Sequence, residues 1–161
     1  MKIRLSPSAF GENHKAMLGF LNTEFVNKLS KSLNPTLSFQ IGEFKKLPIL
    51  SEFENDTLVD ENILISKRDW DSRETSWNFD HSPFLNETDN LEKAYASWQK
   101  LITQDYFQLH ANEEELNRIF IDIYGLQDEL TPEVALKDIT ILREELKKKY
   151  LEKLESNLRS S

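Results

Sequence analysis

The sequence predicts a mainly α fold, a helical bundle with long helices and a short strand element near the N-terminus. Apolar residues recur at three- and four-residue steps through most of the 161 positions, and strand-like alternation occurs in one stretch. An apolar fraction of 39% and a charged fraction of 30% are ordinary for a soluble domain. The chain is therefore expected to fold around a hydrophobic core.

The first fifty residues predict one amphipathic helix and then the strand. The helix begins at Asn13 and ends at Pro35, because proline cannot supply the backbone N–H that a helix interior needs. Its apolar positions are Met17, Leu18, Phe20, Leu21, Phe25, Leu29 and Leu33. The stretch TLSFQIG, residues 36–42, then alternates apolar and polar side chains, as a half-buried strand does. An extended exit is expected at Leu47, since it precedes a proline.

A second helix is expected to begin near Asp56 and to continue through the tryptophan-rich stretch RDWDSRETSWNF, residues 68–79. On a continuous helix Trp70, Glu74 and Trp77 share one face, whereas Asp69 and Asp71 point in different directions. The helical interpretation therefore predicts a packing seam rather than a catalytic cluster. Residues 78–88 then form a loop.

The third helix is predicted from the capping box of Asp89 and Glu92 as far as Ile123. A second capping box, Asn112 with Glu115, leaves open a break or kink within it. Gly125 is expected to cap the C-terminus, and the stretch TPE, residues 131–133, predicts a fresh helix start. The last helix carries a coiled-coil-like stripe, too short to be stable alone, at Leu142, Leu146, Tyr150, Leu154 and Leu158.

The net charge of −8 is unevenly distributed, with a basic excess in the first fifty residues and in 136–161 and an acidic excess between them. Residues 1–50 carry seven Lys and Arg against three acids, whereas residues 51–135 carry six against twenty. Phosphate would be repelled by the acidic part, so any contact with nucleic acid is expected in the first part. The candidate phosphate-binding residues are Lys28, Lys31, Lys45 and Lys46. The alternative is that these lysines form only a solvated surface.

Chemistry-bearing motifs are absent from the sequence. There is no cysteine, the three histidines are isolated, and the four glycines are too widely separated to cradle a phosphate. The carboxylates of Asp69, Asp71, Glu74 and Asp80 with His81 do not converge on one point in the helical interpretation, which weakens the idea of a metal nuclease. We therefore predict no catalytic residue and no metal site. No stretch is apolar enough for a membrane span or a signal peptide, so a cytoplasmic location is expected.

Three segments resemble the large bacterial N6-adenine DNA methyltransferases of BREX-type phage defence and of related single-chain restriction-modification enzymes. They are GFLNTEFVNKLSKSLNPTLSFQIGEFKKLPI (19–49), ISKRDWDSRETSWNFDHSPFL (65–85) and NEEELNRIFIDIYGLQDELTPEV (112–134). The resemblance implies a region downstream of the catalytic domain, with 1–50 as the end of a target-recognition-like unit and 51–161 as a helical connector. The chain is then either an excised domain or a truncated homologue.

Enzymes of this family hold a flipped adenine with an Asn-Pro-Pro-Tyr/Phe motif and methylate it from S-adenosylmethionine. This sequence has only Asn34-Pro35-Thr36, so no catalytic residue is carried over, and the cofactor belongs to the parent enzyme. The resemblance implies a noncatalytic module that positions the DNA-recognition part. Its expected partners are the methyltransferase catalytic domain or other defence-system proteins, with double-stranded DNA as a further candidate and no membrane. The alternative is a helical protein-interaction module that touches no DNA and docks through the Leu142 to Leu158 stripe.

Overall fold

The computed structural model describes residues 14–33, 47–48, 55–85 and 90–141. These residues form four α-helices and no strand: α1 (His14–Leu21), α2 (Glu24–Leu33), α3 (Asp56–Asp71) and α4 (Leu91–Tyr124). Two short 3-10 helices follow α3 and α4, at Pro83–Leu85 and Leu136–Asp138. The mainly α prediction is thereby confirmed. The predicted strand at 36–42 and the final helix at 142–158 lie outside the described residues.

The chain divides into two compact units. The first comprises Met1–Glu61 with Asn112–Glu133, and the second comprises Asn62–Ala111 with Val134–Ser161. We call them unit 1 and unit 2. The boundary between the predicted parts 1–50 and 51–161 falls among residues that the structure does not describe, so that division stays a prediction.

Unit 1 begins with two helices where one was predicted. Helix α1 ends at Leu21 because the Asn22 side chain donates to the Leu18 carbonyl oxygen at 2.8 Å. The Thr23 hydroxyl oxygen then accepts from the backbone N–H of Val26 at 3.4 Å, which is the geometry of an N-cap on α2. The prediction of one uninterrupted helix was wrong, since an Asn-Thr-Glu sequence favours capping over continuation.

The core of unit 1 gathers side chains from all four helices. Its buried members are Phe20, Leu21, Val26, Leu47, Val59, Leu116 and Phe120. Phe20 lies at the centre, with ring centroids 5.5 Å from Phe120 and 5.6 Å from Tyr124. Such aromatic pairs stabilise beyond the area that they bury. The Lys15 ammonium adds an ion pair with Asp60 at 2.7 Å, which joins α1 to α3.

Unit 2 is built on a second core that shares no member with the first among the described residues. Its buried members are Ile65, Ile102, Tyr106, Leu109, Leu136, Ile139 and Ile141. Residues 134–141 lie along α4, because His110 Nε2 contacts the Val134 carbonyl oxygen at 2.7 Å and the Tyr106 hydroxyl donates to the Leu136 carbonyl oxygen. Apart from the 3-10 turn they are not helical, and the helix predicted to start at residues 131–133 is not formed there.

Helices α3 and α4 are each capped at the N-terminus by a residue next to the predicted one. Asn55 rather than Asp56 caps α3, by accepting from the Leu58 N–H at 3.2 Å. The Asn90 side chain caps α4, by accepting from the Glu92 N–H at 2.9 Å. In both cases an asparagine next to the expected aspartate supplies the cap.

Helix α4 runs unbroken through Asn112, where the second capping box leaves a break or kink open in the sequence. Asn112 does not cap a new helix, because its amide donates to a Glu61 carboxylate oxygen at 3.1 Å instead. The predicted C-cap is confirmed: Gly125 has a φ of 65°, and the N–H of Leu126 donates to the Ile121 carbonyl oxygen at 2.9 Å. With the bond from Gly125 N–H to the Asp122 carbonyl oxygen, this is a Schellman motif.

Candidate functional site

The two predicted phosphate-binding lysines that the structure describes lie on α2 of unit 1. Lys28 and Lys31 are exposed, and they are three residues apart on the helix surface opposite the buried Val26. Neither ammonium group forms an ion pair with another described residue. Lys45 and Lys46 lie outside the described residues. The structure therefore places half of the predicted set on one accessible face.

Helix α2 is held at its N-terminus by a buried side chain from α4. The Asn117 amide oxygen accepts from the Glu24 backbone N–H at 2.9 Å, and its amide nitrogen donates to the Pro132 carbonyl oxygen at 3.0 Å. Asn117 is only 4% exposed, so both of these polar contacts are shielded from water. The face that carries Lys28 and Lys31 is therefore fixed to the core of unit 1 at one end.

The tryptophan-rich stretch of unit 2 is a helix end followed by a turn, and not a continuous helix. Helix α3 stops at Asp71, whose carboxylate accepts from Lys67 Nζ and from the Ser76 hydroxyl, each at 2.7 Å. The Ser76 oxygen in turn accepts from the Asn78 N–H at 3.1 Å. The Lys67 contact and then the Ser76 contact lower the pKa of the Asp71 carboxyl.

The other charged groups of this stretch are engaged separately. Arg73 pairs with Asp69 at 3.3 Å, and Arg68 pairs with Asp105 of α4 at 3.0 Å. Burial raises the pKa of the Asp105 carboxyl, and the Arg68 guanidinium opposes that change. In the part of the chain that the structure describes, no three His, Asp or Glu side chains converge as a metal site would require. The carboxylates of Asp69 and Asp71 thus serve local bonds.

The predicted tryptophan packing seam is wrong. Because the helix ends at Asp71, Trp77 is not on a helical face with Trp70, and its side chain is fully exposed (101%). Trp70 is 46% exposed, whereas Trp98 of α4 packs against the core of unit 2. The serines of the DSRETS sequence are the signal that was missed, since Ser72 bonds the Asp69 carbonyl oxygen and Ser76 bonds Asp71.

Exposed large apolar side chains are concentrated in unit 2. All eight among the side chains that the structure describes lie between positions 62 and 111: Ile63, Leu64, Trp70, Trp77, Leu85, Leu91, Tyr95 and Leu101. Single exposed apolar residues are ordinary, but such a concentration is typical of an interaction surface. No helix in the described part of the chain is long and apolar enough to cross a membrane.

Comparison with known proteins gives two significant relatives. The adenine-specific methyltransferase PglX of Lacticaseibacillus casei (strain Zhang) is 39% identical over 150 residues, which cover 86% of this chain and 12% of that protein. The adenine-specific methyltransferase BrxX of Escherichia coli O9:H4 (strain HS) is 31% identical over 115 residues, which cover 71% of this chain and 10% of that protein. This chain thus spans about an eighth or less of the length of these relatives. No protein-family model matches the sequence.

Proposed function

This chain is a homologue of one segment of BREX-type adenine-specific methyltransferases, and from that premise we propose that it is a noncatalytic module that positions the DNA-recognition part of such an enzyme. The observation that carries the proposal is the extent of the match, which takes in 86% of this chain but only 12% of PglX. Methyl transfer from S-adenosylmethionine would then belong to the remainder of the parent protein. The lack of an Asn-Pro-Pro-Tyr/Phe motif in this sequence supports that division.

Positioning has a physical purpose in an enzyme that acts on a flipped adenine. The base-flipping pocket and the recognition surface must keep a fixed register along the duplex, and phosphate contacts supply that register. Lys28 and Lys31 suit this role, because they are exposed on one face of a helix whose N-terminus Asn117 holds. Lys45 and Lys46 complete the proposed set from the sequence.

Duplex binding tests the lysine assignment directly. The chain is expected to bind duplex DNA weakly at low salt. The double change Lys28→Ala, Lys31→Ala should make the slope of log K against log salt shallower by about 0.9 for each phosphate that is no longer neutralised. Fluorescence anisotropy over a salt series measures it. The matched control is Lys93→Ala, Lys100→Ala, which removes two exposed lysines from α4 in unit 2. Equal effects in both double variants would show a nonspecific charge effect instead.

Methylation tests the noncatalytic role. The chain alone should transfer no methyl group from labelled S-adenosylmethionine to duplex DNA. When this chain replaces the matching segment of full-length PglX, the Lys28→Ala, Lys31→Ala variant should lose site-specific methylation while it still binds S-adenosylmethionine. Methyl transfer by the chain alone, or an unchanged rate in the double variant, would contradict the proposal.

The second candidate function is a helical protein-interaction module of a defence complex that makes no DNA contact. The concentration of exposed apolar side chains in unit 2 favours it. It predicts that duplex binding is undetectable even at low salt, and that deletion of residues 142–161 abolishes association with a partner protein in sizing measurements. DNA binding that falls with Lys28→Ala, Lys31→Ala would decide against it.

A further inference from the structure

The exposed apolar side chains of unit 2 fall into two parts, and the first is a helix face that continues beyond the core. Leu91, Tyr95, Trp98 and Ile102 follow one another at steps of four, three and four residues along α4, so they share a face with the buried Leu109. Exposure along this face rises from 5% at Ile102 to 49% at Tyr95 and 73% at Leu91. The apolar stripe of α4 is therefore longer than the core that covers it.

The second part is a fully exposed indole on a fixed turn. Trp77 lies between Ser76, which is buried and bonded to Asp71, and Asn78, whose N–H donates to the Ser76 oxygen at 3.1 Å. The Ser76 N–H also donates to the Arg73 carbonyl oxygen at 2.9 Å. Because hydrogen bonds already order the backbone on both sides of Trp77, little backbone conformational entropy is lost when a partner buries this indole. Large aromatic side chains of this kind dominate the energy of interfaces.

Unit 1 has a different surface. Among the side chains of unit 1 that the structure describes, no large apolar one is exposed, and Lys28 and Lys31 lie on its α2 face. The described chain thus separates an apolar surface on unit 2 from a basic face on unit 1. A protein partner is favoured for the apolar surface of unit 2, since phosphate groups make no favourable contact with leucine side chains.

We propose that Trp77, Leu85, Leu91 and Tyr95 form a docking surface for another part of the same methyltransferase polypeptide. This inference rests on the proposed function, and it names the partner. The length of the relatives argues for this occupant: about nine tenths of PglX or BrxX lies outside the match, so a module of this size has a large polypeptide to pack against. The receiving surface is apolar at its centre and has a pocket for an indole, as the buried centres of protein interfaces commonly do.

Hydroxyl-radical footprinting read by mass spectrometry tests the docking surface. Trp77 and Leu91 should be modified readily in the isolated chain, and about five-fold or more slowly when the chain replaces its matching segment in full-length PglX, because a packed interface excludes solvent. Leu64, which is 60% exposed on α3, is the matched control and should react equally in both proteins. Equal reactivity of Trp77 in both would overturn the proposal, whether or not the hybrid enzyme methylates DNA.

Two further outcomes would overturn the choice of occupant. Protection in the isolated chain that grows with protein concentration would show that a second copy covers the surface. Protection in the isolated monomer that deletion of residues 142–161 removes would show that the chain covers its own surface. Duplex binding by the isolated chain is measured separately, so failure of the docking surface leaves the DNA proposal to its own test.

A pair of substitutions provides an independent check. Trp77→Ser with Leu91→Ser should leave the melting temperature of the isolated chain nearly unchanged, since both side chains are exposed there. In the full-length hybrid the same changes should raise the rate of proteolysis within this segment several-fold, because the docked state is weakened. Leu64→Ser should leave proteolysis unaltered. Unaltered proteolysis in the double variant would contradict the proposal.

Discussion

At the scale of single residues, the first feature of unit 1 is the buried Asn117 side chain. Its amide bonds both the first N–H of α2 and the carbonyl oxygen of Pro132, and it is buried. Asn117→Ala should therefore cost about 2–4 kcal/mol of unfolding free energy, because it leaves a donor and an acceptor without partners. Urea denaturation measures this cost.

The matched control for that change is Asn27→Ala. The Asn27 amide bonds only the Glu24 carboxylate, at 2.9 Å, in a part-buried position. Its removal should cost about 0.5 kcal/mol, as is usual for a partly solvated hydrogen bond. Equal costs at both positions would show that the buried hydrogen bonds of Asn117 contribute no more than the part-buried bond of Asn27.

The stability of unit 2 is expected to depend on pH through the Asp71 carboxyl. Its pKa is lowered by Lys67 and Ser76, so these two partners stabilise the folded chain above the ordinary aspartate pKa of about 4, and the stabilisation disappears as the pH falls toward the folded-state pKa. Ser76→Ala should raise the pKa of Asp71 in a carboxyl-carbon NMR titration. Ser66→Ala, at an exposed position of α3, should leave the pKa of Asp71 unchanged. If Asp71 titrates identically in both variants, the Ser76 hydrogen bond is not a cause of its lowered pKa.

The candidate site residues show what sequence periodicity can and cannot predict. The helical period alone places Lys28 and Lys31 opposite Val26, and both are exposed. The period fails at Trp77, since local hydrogen bonds from serines end the helix first. Whether the lysines contact DNA stays a prediction, because periodicity reports which side faces solvent and not what binds there.

At the scale of elements, the end of α4 depends on the backbone of one glycine. Gly125 has a φ of 65°, and a Cβ added there would meet no atom within 4 Å. Gly125→Ala should therefore cost about 1 kcal/mol through backbone strain alone. Gly125→Asn should cost less, because asparagine adopts this conformation more readily. Thermal unfolding distinguishes the two, and equal stability of Gly125→Ala and the parent chain would contradict this account.

Helix ends were predicted unevenly, for local reasons. The Schellman end of α4 follows from one glycine at a helix terminus, which the sequence shows. The division between α1 and α2 was missed because Phe20, Leu21 and Phe25 keep a helical period across it, while the Thr23 cap interrupts the backbone. The unbroken passage of α4 through Asn112 was not decidable from sequence, because the partner of that side chain, Glu61, is distant along the chain.

At the scale of the whole molecule, helices α3 and α4 each contribute to two cores that share no described residue. Leu116 of unit 1 and Leu109 of unit 2 lie seven residues apart on α4 and are almost equally buried. Leu116→Ala and Leu109→Ala should each cost about 2–5 kcal/mol, since each opens a cavity in a packed core. The two variants should differ in which part of the chain opens locally. Native-state hydrogen exchange should accelerate mainly at residues 14–33 in Leu116→Ala and at residues 134–141 in Leu109→Ala, because those segments pack on the altered core. Uniform acceleration throughout the chain in both variants would instead show that the two units open together as one cooperative structure.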